Sequence, residues 1–124
     1  MTFPKKLIVG TLVFQLGALI AGIGVGLGAF GAHGLKARNV SQDNLQNWQT
    51  ATLYLFIHAF GLMFNGVAPT TSKVAMYLHL LGIFLFSGSL YTIVLTGNKW
   101  YGRITPIGGL AFIAGWLFLA LKNY

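Results

Sequence analysis

The stretch LIVGTLVFQLGALIAGIGVGLGAFGAHGL, residues 7–35, contains no acidic residue, lysine or arginine. An uncharged and mostly apolar run of about 18 or more residues is long enough to cross the hydrocarbon core of a bilayer as a helix. Three further runs follow at 48–68, 74–96 and 104–121. Helices are expected because backbone amides in lipid must form hydrogen bonds within their own segment. The sequence therefore predicts an all-α membrane protein, a bundle of four transmembrane helices with short loops and both termini on the same side.

The composition supports this fold class. The chain of 124 residues is 56% hydrophobic and only 7% charged, whereas about a quarter of the residues in soluble domains are charged. We expect a single membrane domain, residues 1–124, with helices at about 7–35, 42–67, 73–96 and 105–121. The net charge of +7 is spread over every loop. This pattern indicates basic side chains that anchor helix ends near lipid phosphates, so the expected partner is the lipid bilayer and not nucleic acid.

The helix ends carry recognisable signals. Gly34 favours a helix end, because glycine tolerates the left-handed conformation found there. Ser41 can cap the second helix, with Asp43 in the first turn. Thr105 is expected to cap the fourth helix, with Pro106 at its first position. Basic residues divide four to four between the two faces, so the positive-inside rule gives no orientation.

Each predicted helix carries small or polar residues at steps of three and four. In lipid, helices associate through close packing of small residues and a few hydrogen bonds, so these stripes should face one another. On the first helix the stripe is Thr11, Gln15, Ala18, Gly22, Gly26, Ala29 and His33. On the second it is Ala51, Tyr54, His58, Gly61 and Asn65. On the third it is Ala75, His79, Gly82, Phe86 and Ser89, and on the fourth it is Gly108, Ala111 and Gly115.

The first helix has two pairs of glycines at a spacing of four residues, Gly22 with Gly26 and Gly24 with Gly28. Such pairs permit close helix–helix approach. One side of this helix can pack on the bundle. The other can pack on a membrane-protein partner or on a second copy, giving a homo-oligomer through the glycine-rich helix.

Ionisable and polar groups inside a membrane are functional candidates. The candidates here are His33, His58, His79, Asn65 and Gln15. At about 1.5 Å per residue, His58 and His79 lie about 14 and 8 Å from the face that carries the termini, so they can meet. His33 lies near the opposite face. The histidines are expected to form interhelical hydrogen bonds, with a proton or solute path and a metal site as the alternatives. No metal or other cofactor is predicted.

Catalytic arrangements are scarce. Asp43, near a loop, is the only acidic residue, so neither a carboxylate pair nor a Ser-His-Asp triad can form in the core. The remaining arrangement is a serine–histidine pair without an acidic residue, formed by Ser87 or Ser89 with His79. The sequence therefore does not predict an enzyme.

Several segments occur in a familiar order: GAFGAHGL (28–35), WQTA (48–51), HAFGL (58–62), LFSGSLY (85–91), ITPIGG (104–109) and GW (115–116). The chain resembles domain-of-unknown-function family 423, small bacterial inner-membrane proteins with animal relatives called transmembrane protein 256. The resemblance extends over nearly the whole chain. It implies a four-helix protein of the bacterial plasma membrane, and it implies no activity.

Most of these segments fall toward the face opposite the termini. They indicate either a functional focus around His33, Trp48, Tyr91 and Thr105, or only the caps and glycines that tight turns require. The residues of this motif face are Gly28, Gly31, Gly34, Trp48, Ser87, Ser89, Tyr91, Thr105 and Pro106.

We expect a non-enzymatic interaction, accessory or assembly protein, because an interior of small residues with few ionisable groups suits packing better than chemistry. The alternative is a small oligomeric transporter or channel for a proton, a small solute or a lipid, with His58, His79 and Asn65 as its polar path. A lipid-active enzyme at the His33 face is a third interpretation. A polar cavity that reaches the midplane would favour transport, and a dry interior would favour packing.

Overall fold

The computed structural model describes residues 4–122 as helices joined by short loops. Its elements are α1 (Lys5–Ala29), a first π-helical turn (Phe30–Leu35), α2 (Gln42–Val67), α3 (Lys73–Gly82), a second π-helical turn (Ile83–Ser87), α4 (Gly88–Thr96), a 3-10 turn (Lys99–Arg103) and α5 (Thr105–Ala120). Four segments are long and apolar enough to cross a membrane, namely Lys5–Leu35, Gln42–Val67, Lys73–Thr96 and Lys99–Ala120. The predicted helical membrane fold with four spans is confirmed.

The helices pack in a simple order. α1 lies along α2, α2 also contacts α3 and α4, and α3 lies along α5. α1 therefore occupies an edge of the bundle, since among the elements of residues 4–122 it packs extensively only on α2 and on its own π-helical turn. Large apolar side chains such as Leu19, Phe84 and Leu110 point outward. An apolar exterior of this kind suits lipid as the surrounding solvent.

Side-chain caps and a glycine define several helix ends, and the predicted cap at Ser41 is confirmed. The Ser41 hydroxyl accepts a hydrogen bond from the Asn44 backbone N–H at 3.2 Å, and Asp43 lies in the first turn of α2. Ser72 caps α3 in the same way, at 3.1 Å from the Ala75 nitrogen. α4 ends at Gly97, whose φ of 72° is the left-handed conformation that glycine adopts without strain.

Two end predictions need correction. The left-handed residue after the first span is Asn39, with φ 56°, and Gly34 remains helical. Asparagine tolerates this conformation better than most residues with a side chain. Thr105 does not cap α5, which begins at Thr105 itself and has no side-chain cap. Its hydroxyl instead pairs with that of Ser89 at 2.5 Å, so a bond between two helices replaces the cap.

The small stripes on the second, third and fourth spans mostly face inward. Tyr54 is the exception on α2, at 38% exposed. Phe86 is only partly buried, because the second π-helical turn inserts one residue and brings Ser87 to the inward position after Gly82. The stripe residues that are buried are Ala51, His58, Gly61, Asn65, Ala75, His79, Gly82, Ser89, Gly108, Ala111 and Gly115.

The predicted face of the first helix is wrong. Every member of its stripe is exposed, namely Thr11, Gln15, Ala18, Gly22, Gly26, Ala29 and His33. The buried face consists of glycines seven residues apart, with two larger apolar residues, namely Gly10, Gly17, Gly24, Gly31, Val13 and Leu35. The glycines are needed because the two backbones touch: a Cβ added at Gly10 would lie 2.5 Å from the Gly66 carbonyl oxygen, and one at Gly17 would lie 2.5 Å from that of Ala59.

Candidate functional site

Four aromatic rings from three helices meet: the buried rings of His58 from α2, His79 from α3 and Phe112 from α5, and the ring of Trp116 from α5, which is 37% exposed. We call them the His–Trp cluster. The two imidazole centroids are 5.3 Å apart, so His58 and His79 meet in the structure. Phe112 stacks on His58 at 3.4 Å between centroids. Both histidines are almost fully buried, at 3% and 0% exposed.

The hydrogen bonds of His58 define its tautomer. Its Nδ1 lies 2.6 Å from the carbonyl oxygen of Tyr54, and the Trp116 indole N–H donates to its Nε2 at 2.9 Å. A carbonyl oxygen only accepts and an indole N–H only donates, so Nδ1 carries the proton and Nε2 is the acceptor. A second proton on the ring would face the indole N–H donor. The arrangement therefore holds His58 neutral and joins α5 to α2.

His79 has no such partners. Both of its ring nitrogens are buried, and neither has a hydrogen-bond partner within the described residues. The ring lies between two glycines, because a Cβ at Gly61 would be 3.3 Å from its Cε1 and a Cβ at Gly115 would collide with its Cδ2. Trp116 lies alongside, with centroids 4.7 Å apart. The glycines thus provide room for an imidazole whose polar atoms remain unsatisfied, which normally costs stability.

Asn65 belongs to a turn and not to a polar path. Its side-chain amide donates to the Ser72 carbonyl oxygen and accepts from the Ser72 N–H, each at 2.8 Å. These two bonds connect the end of α2 to the start of α3. Both ends of the amide are therefore used within the fold.

A second cluster lies toward the opposite end of the bundle and includes several motif-face residues. The Trp48 ring is 2% exposed, and its N–H donates to the Leu27 carbonyl oxygen at 2.7 Å. It lies 4.4 Å from the Tyr91 ring, between centroids. The Tyr91 hydroxyl pairs with Thr52 at 2.7 Å. Gly31 is part of this packing, since a Cβ there would collide with the Trp48 ring.

The serine hydroxyls of the motif face also bond within the fold. Ser87 donates to the Ala51 carbonyl oxygen at 2.7 Å, and Ser89 lies 3.0 Å from the Phe86 carbonyl oxygen besides its contact with Thr105. Neither serine bonds to His79, so the serine–histidine arrangement considered from the sequence is not formed. The Ser87 bond joins the second π-helical turn to α2, and the Ser89–Thr105 contact joins α4 to α5.

The remaining candidates are dispersed. Gln15 and His33 are exposed on the outer side of the first span, and His33 does not join the other two histidines. Gly28 is close to Thr52, at 3.8 Å from an added Cβ, and Gly34 to Phe30, at 2.8 Å. Pro106 is exposed in the first turn of α5. Trp48, Ser89, Tyr91 and Thr105 therefore form interior contacts, whereas His33 is separate from them.

Sequence reasoning missed Trp116 and Phe112, which complete the His–Trp cluster. Trp116 follows Gly115 and Phe112 follows Ala111 in the sequence. The small stripe of α5 therefore lies beside both aromatic residues, but it does not predict which rings contact the histidines. Among residues 4–122 no group of three histidine, cysteine or acidic side chains is placed to hold a metal ion. The clusters can pack and hydrogen-bond, and their arrangement provides no nucleophile with an attached base.

Comparison with known proteins identifies relatives of this chain. The family described as "Protein of unknown function (DUF423)" matches residues 27–109. A UPF0382 membrane protein of Staphylococcus aureus is 46% identical over 117 residues, which cover 91% of this chain and 95% of the relative. The UPF0382 membrane protein YwdK of Bacillus subtilis is 42% identical over 114 residues, covering 86% and 90%. No solved structure matches the chain. With its four spans and these relatives, the chain is an integral membrane protein that belongs to the DUF423 family.

Proposed function

We propose that this protein is a non-enzymatic accessory or assembly protein of a bacterial-type plasma membrane, which binds another transmembrane helix through the outer side of α1. We call this surface the α1 face and define it by Gln15, Ala18, Gly22 and Gly26. The partner helix belongs to a second copy or to another membrane protein. The observation that carries the proposal is that this polar and small-residue surface is exposed at the edge of the bundle.

Gln15 gives the first argument. It lies ten residues from Lys5, about 15 Å along the helix and hence near the middle of the hydrocarbon core. Its amide is exposed and forms no hydrogen bond with another described residue. A primary amide that lacks partners in hydrocarbon costs several kcal/mol. A helix packed on the α1 face can offer such partners, and the same amide of a second copy is both donor and acceptor.

Gly22 and Gly26 give the second argument. A Cβ built on either glycine meets nothing within 4 Å. These glycines therefore serve no packing against residues 4–122, unlike Gly17 and Gly24, whose added Cβ atoms would meet α2. A flat surface of this kind lets another backbone approach closely, which is a common basis of helix association in lipid.

The interior supports an accessory role over transport. The polar groups of the suggested path are enclosed: His58 is covered by Phe112, His79 is fully buried, and the Asn65 amide is bonded at both ends. A transporter of the kind considered above needs a hydrated site near the midplane. The close packing around these three residues favours a dry core.

The experiment uses the absence of cysteine from the chain. Ala18→Cys places one thiol on the α1 face, and the matched control Leu117→Cys places one on the exposed side of α5. We expect oxidative cross-linking in native membranes to give a covalent dimer with Ala18→Cys only, if the partner is a second copy.

Native mass spectrometry from mild detergent separates the other outcomes. A heteromeric complex that is lost in Gly22→Ile and kept in the α5 control Ala120→Ile supports a different membrane protein as the partner. A monomer in detergent, with no cross-linked dimer in membranes, would contradict the proposal.

A further inference from the structure

A groove of about 550 Å³ opens between the start of α1 and the loop that follows α2. We call it the basal groove. Leu7 and Phe14 line it from α1, Val67 and Thr71 line it from the other side, and Lys6 lies at its mouth. Its volume lies within the range of sites that hold small ligands. Its walls are mostly apolar, with hydroxyl groups and one ammonium group added.

The close contact of two glycines shapes this groove. A Cβ on Gly66 would lie 2.6 Å from the Gly10 carbonyl oxygen, so the two backbones touch at the base. The groove lies beside this contact, and both glycines are among its lining residues. Lys6 and Phe14 are eight residues apart, about 12 Å along α1. The groove thus extends from the level of the lipid headgroups into the upper part of the acyl region.

The electrostatic environment of the groove mouth is positive. Burial, and then the charge of Lys6, lower the pKa of Lys122, which follows the last helix at this end of the bundle. The Lys122 ammonium also donates to the Thr70 carbonyl oxygen in the loop beside the groove. The only acidic side chain of the chain, Asp43, lies in the first turn of α2, at the other end of that helix.

We infer that the basal groove binds one anionic phospholipid, with its phosphate at Lys6 and an acyl chain along Leu7, Phe14 and Val67. The charge at the mouth selects a negative headgroup, and the apolar walls at acyl depth select a chain over a free anion. A basic side chain at a membrane surface attracts acidic lipids in this way. The inference is independent of the α1 face and of any partner helix.

The test is native mass spectrometry of the purified protein with phosphatidylglycerol or with phosphatidylcholine of the same acyl chains. We expect the wild-type protein to retain one phosphatidylglycerol, with a preference of about fivefold over phosphatidylcholine for one lysine contact. Lys6→Gln should abolish this preference. The matched control Lys99→Gln, exposed at the opposite end of the bundle, should keep it.

A second variant tests the groove itself without touching the charge. Val67→Trp adds bulk to an exposed groove wall on α2, away from the α1 face, and should reduce retention of both lipids. Equal retention of the two lipids by the wild type, or an equal loss in Lys6→Gln and Lys99→Gln, would overturn the inference. Displacement of the lipid by millimolar inorganic phosphate would also overturn it, because the site would then select a free anion. The oligomeric state is read from the same spectra, so a failure of this inference is distinguishable from a failure of α1-face association.

Discussion

Trp116 donates its indole N–H to Nε2 of His58 across 2.9 Å, which joins α5 to α2 by a side-chain hydrogen bond. The acceptor nitrogen is available because the other ring nitrogen of His58 bonds the Tyr54 carbonyl oxygen. The helices of this bundle pack mainly through small residues, which contact one another without a preferred direction. A hydrogen bond is directional, so it helps to fix the orientation of α5 on α2. It also leaves His58 without a free polar atom for binding a solute.

Trp116→Phe should therefore destabilise the bundle by about 1 kcal/mol, since it removes one interhelical hydrogen bond and leaves Nε2 of His58 unpaired. The measurement is reversible unfolding in mixed micelles with increasing sodium dodecyl sulfate. Trp100→Phe is the matched control, because Trp100 is 53% exposed in the 3-10 turn before α5. Equal stability of the two variants would show that the indole N–H contributes nothing.

His79 should behave in the opposite way. Its ring nitrogens are buried without partners, so replacing the imidazole by an apolar group of similar size removes a desolvation cost. We expect His79→Leu to unfold at the same or a higher detergent fraction than the wild type. A loss of 2 kcal/mol or more, a magnitude typical of a broken buried network, would instead mean that His79 has a polar partner in the membrane.

The four spans were predictable because charge is excluded from hydrocarbon, and every charged residue of the chain marks a boundary. The cap at Ser41 was equally accessible, since it depends on neighbours a few residues away. The side of the first helix that faces inward could not be predicted from the sequence. Glycines occur on both sides of it, at Gly22 and at Gly24, and only the matching surface of α2 decides which side is buried.

The second π-helical turn explains the error at Phe86. One inserted residue after Gly82 brings Ser87, and not Phe86, to the inward position, where the Ser87 hydroxyl donates to the Ala51 carbonyl oxygen. A periodicity of 3.6 residues contains no sign of such an insertion. The partners of His58 were also beyond reach, because Trp116 is far away in the sequence and its contact depends on how α5 packs.

A pair of glycine substitutions tests the buried face of α1. Gly17→Ala should destabilise the protein by about 1–3 kcal/mol, because the new Cβ would lie 2.5 Å from the Ala59 carbonyl oxygen and must push the two helices apart. Gly22→Ala should be neutral or slightly stabilising, since its Cβ has open space and alanine favours a helix. Unfolding in the same micelles compares the two. The reverse order would place Gly22 in the interface with α2 and remove the basis for the α1 face.

His58→Ala separates packing from transport. It removes the acceptor for Trp116 and should cost about 1 kcal/mol of stability. Association through the α1 face should persist, because the ring of His58 packs against α3 and α5, on His79, Phe112 and Trp116. In proteoliposomes that contain a pH-sensitive dye, we expect wild-type and His58→Ala vesicles to leak protons at the rate of protein-free vesicles. A wild-type flux that disappears in His58→Ala, with the variant still folded, would establish the transporter alternative, because a packing residue has no reason to affect proton movement.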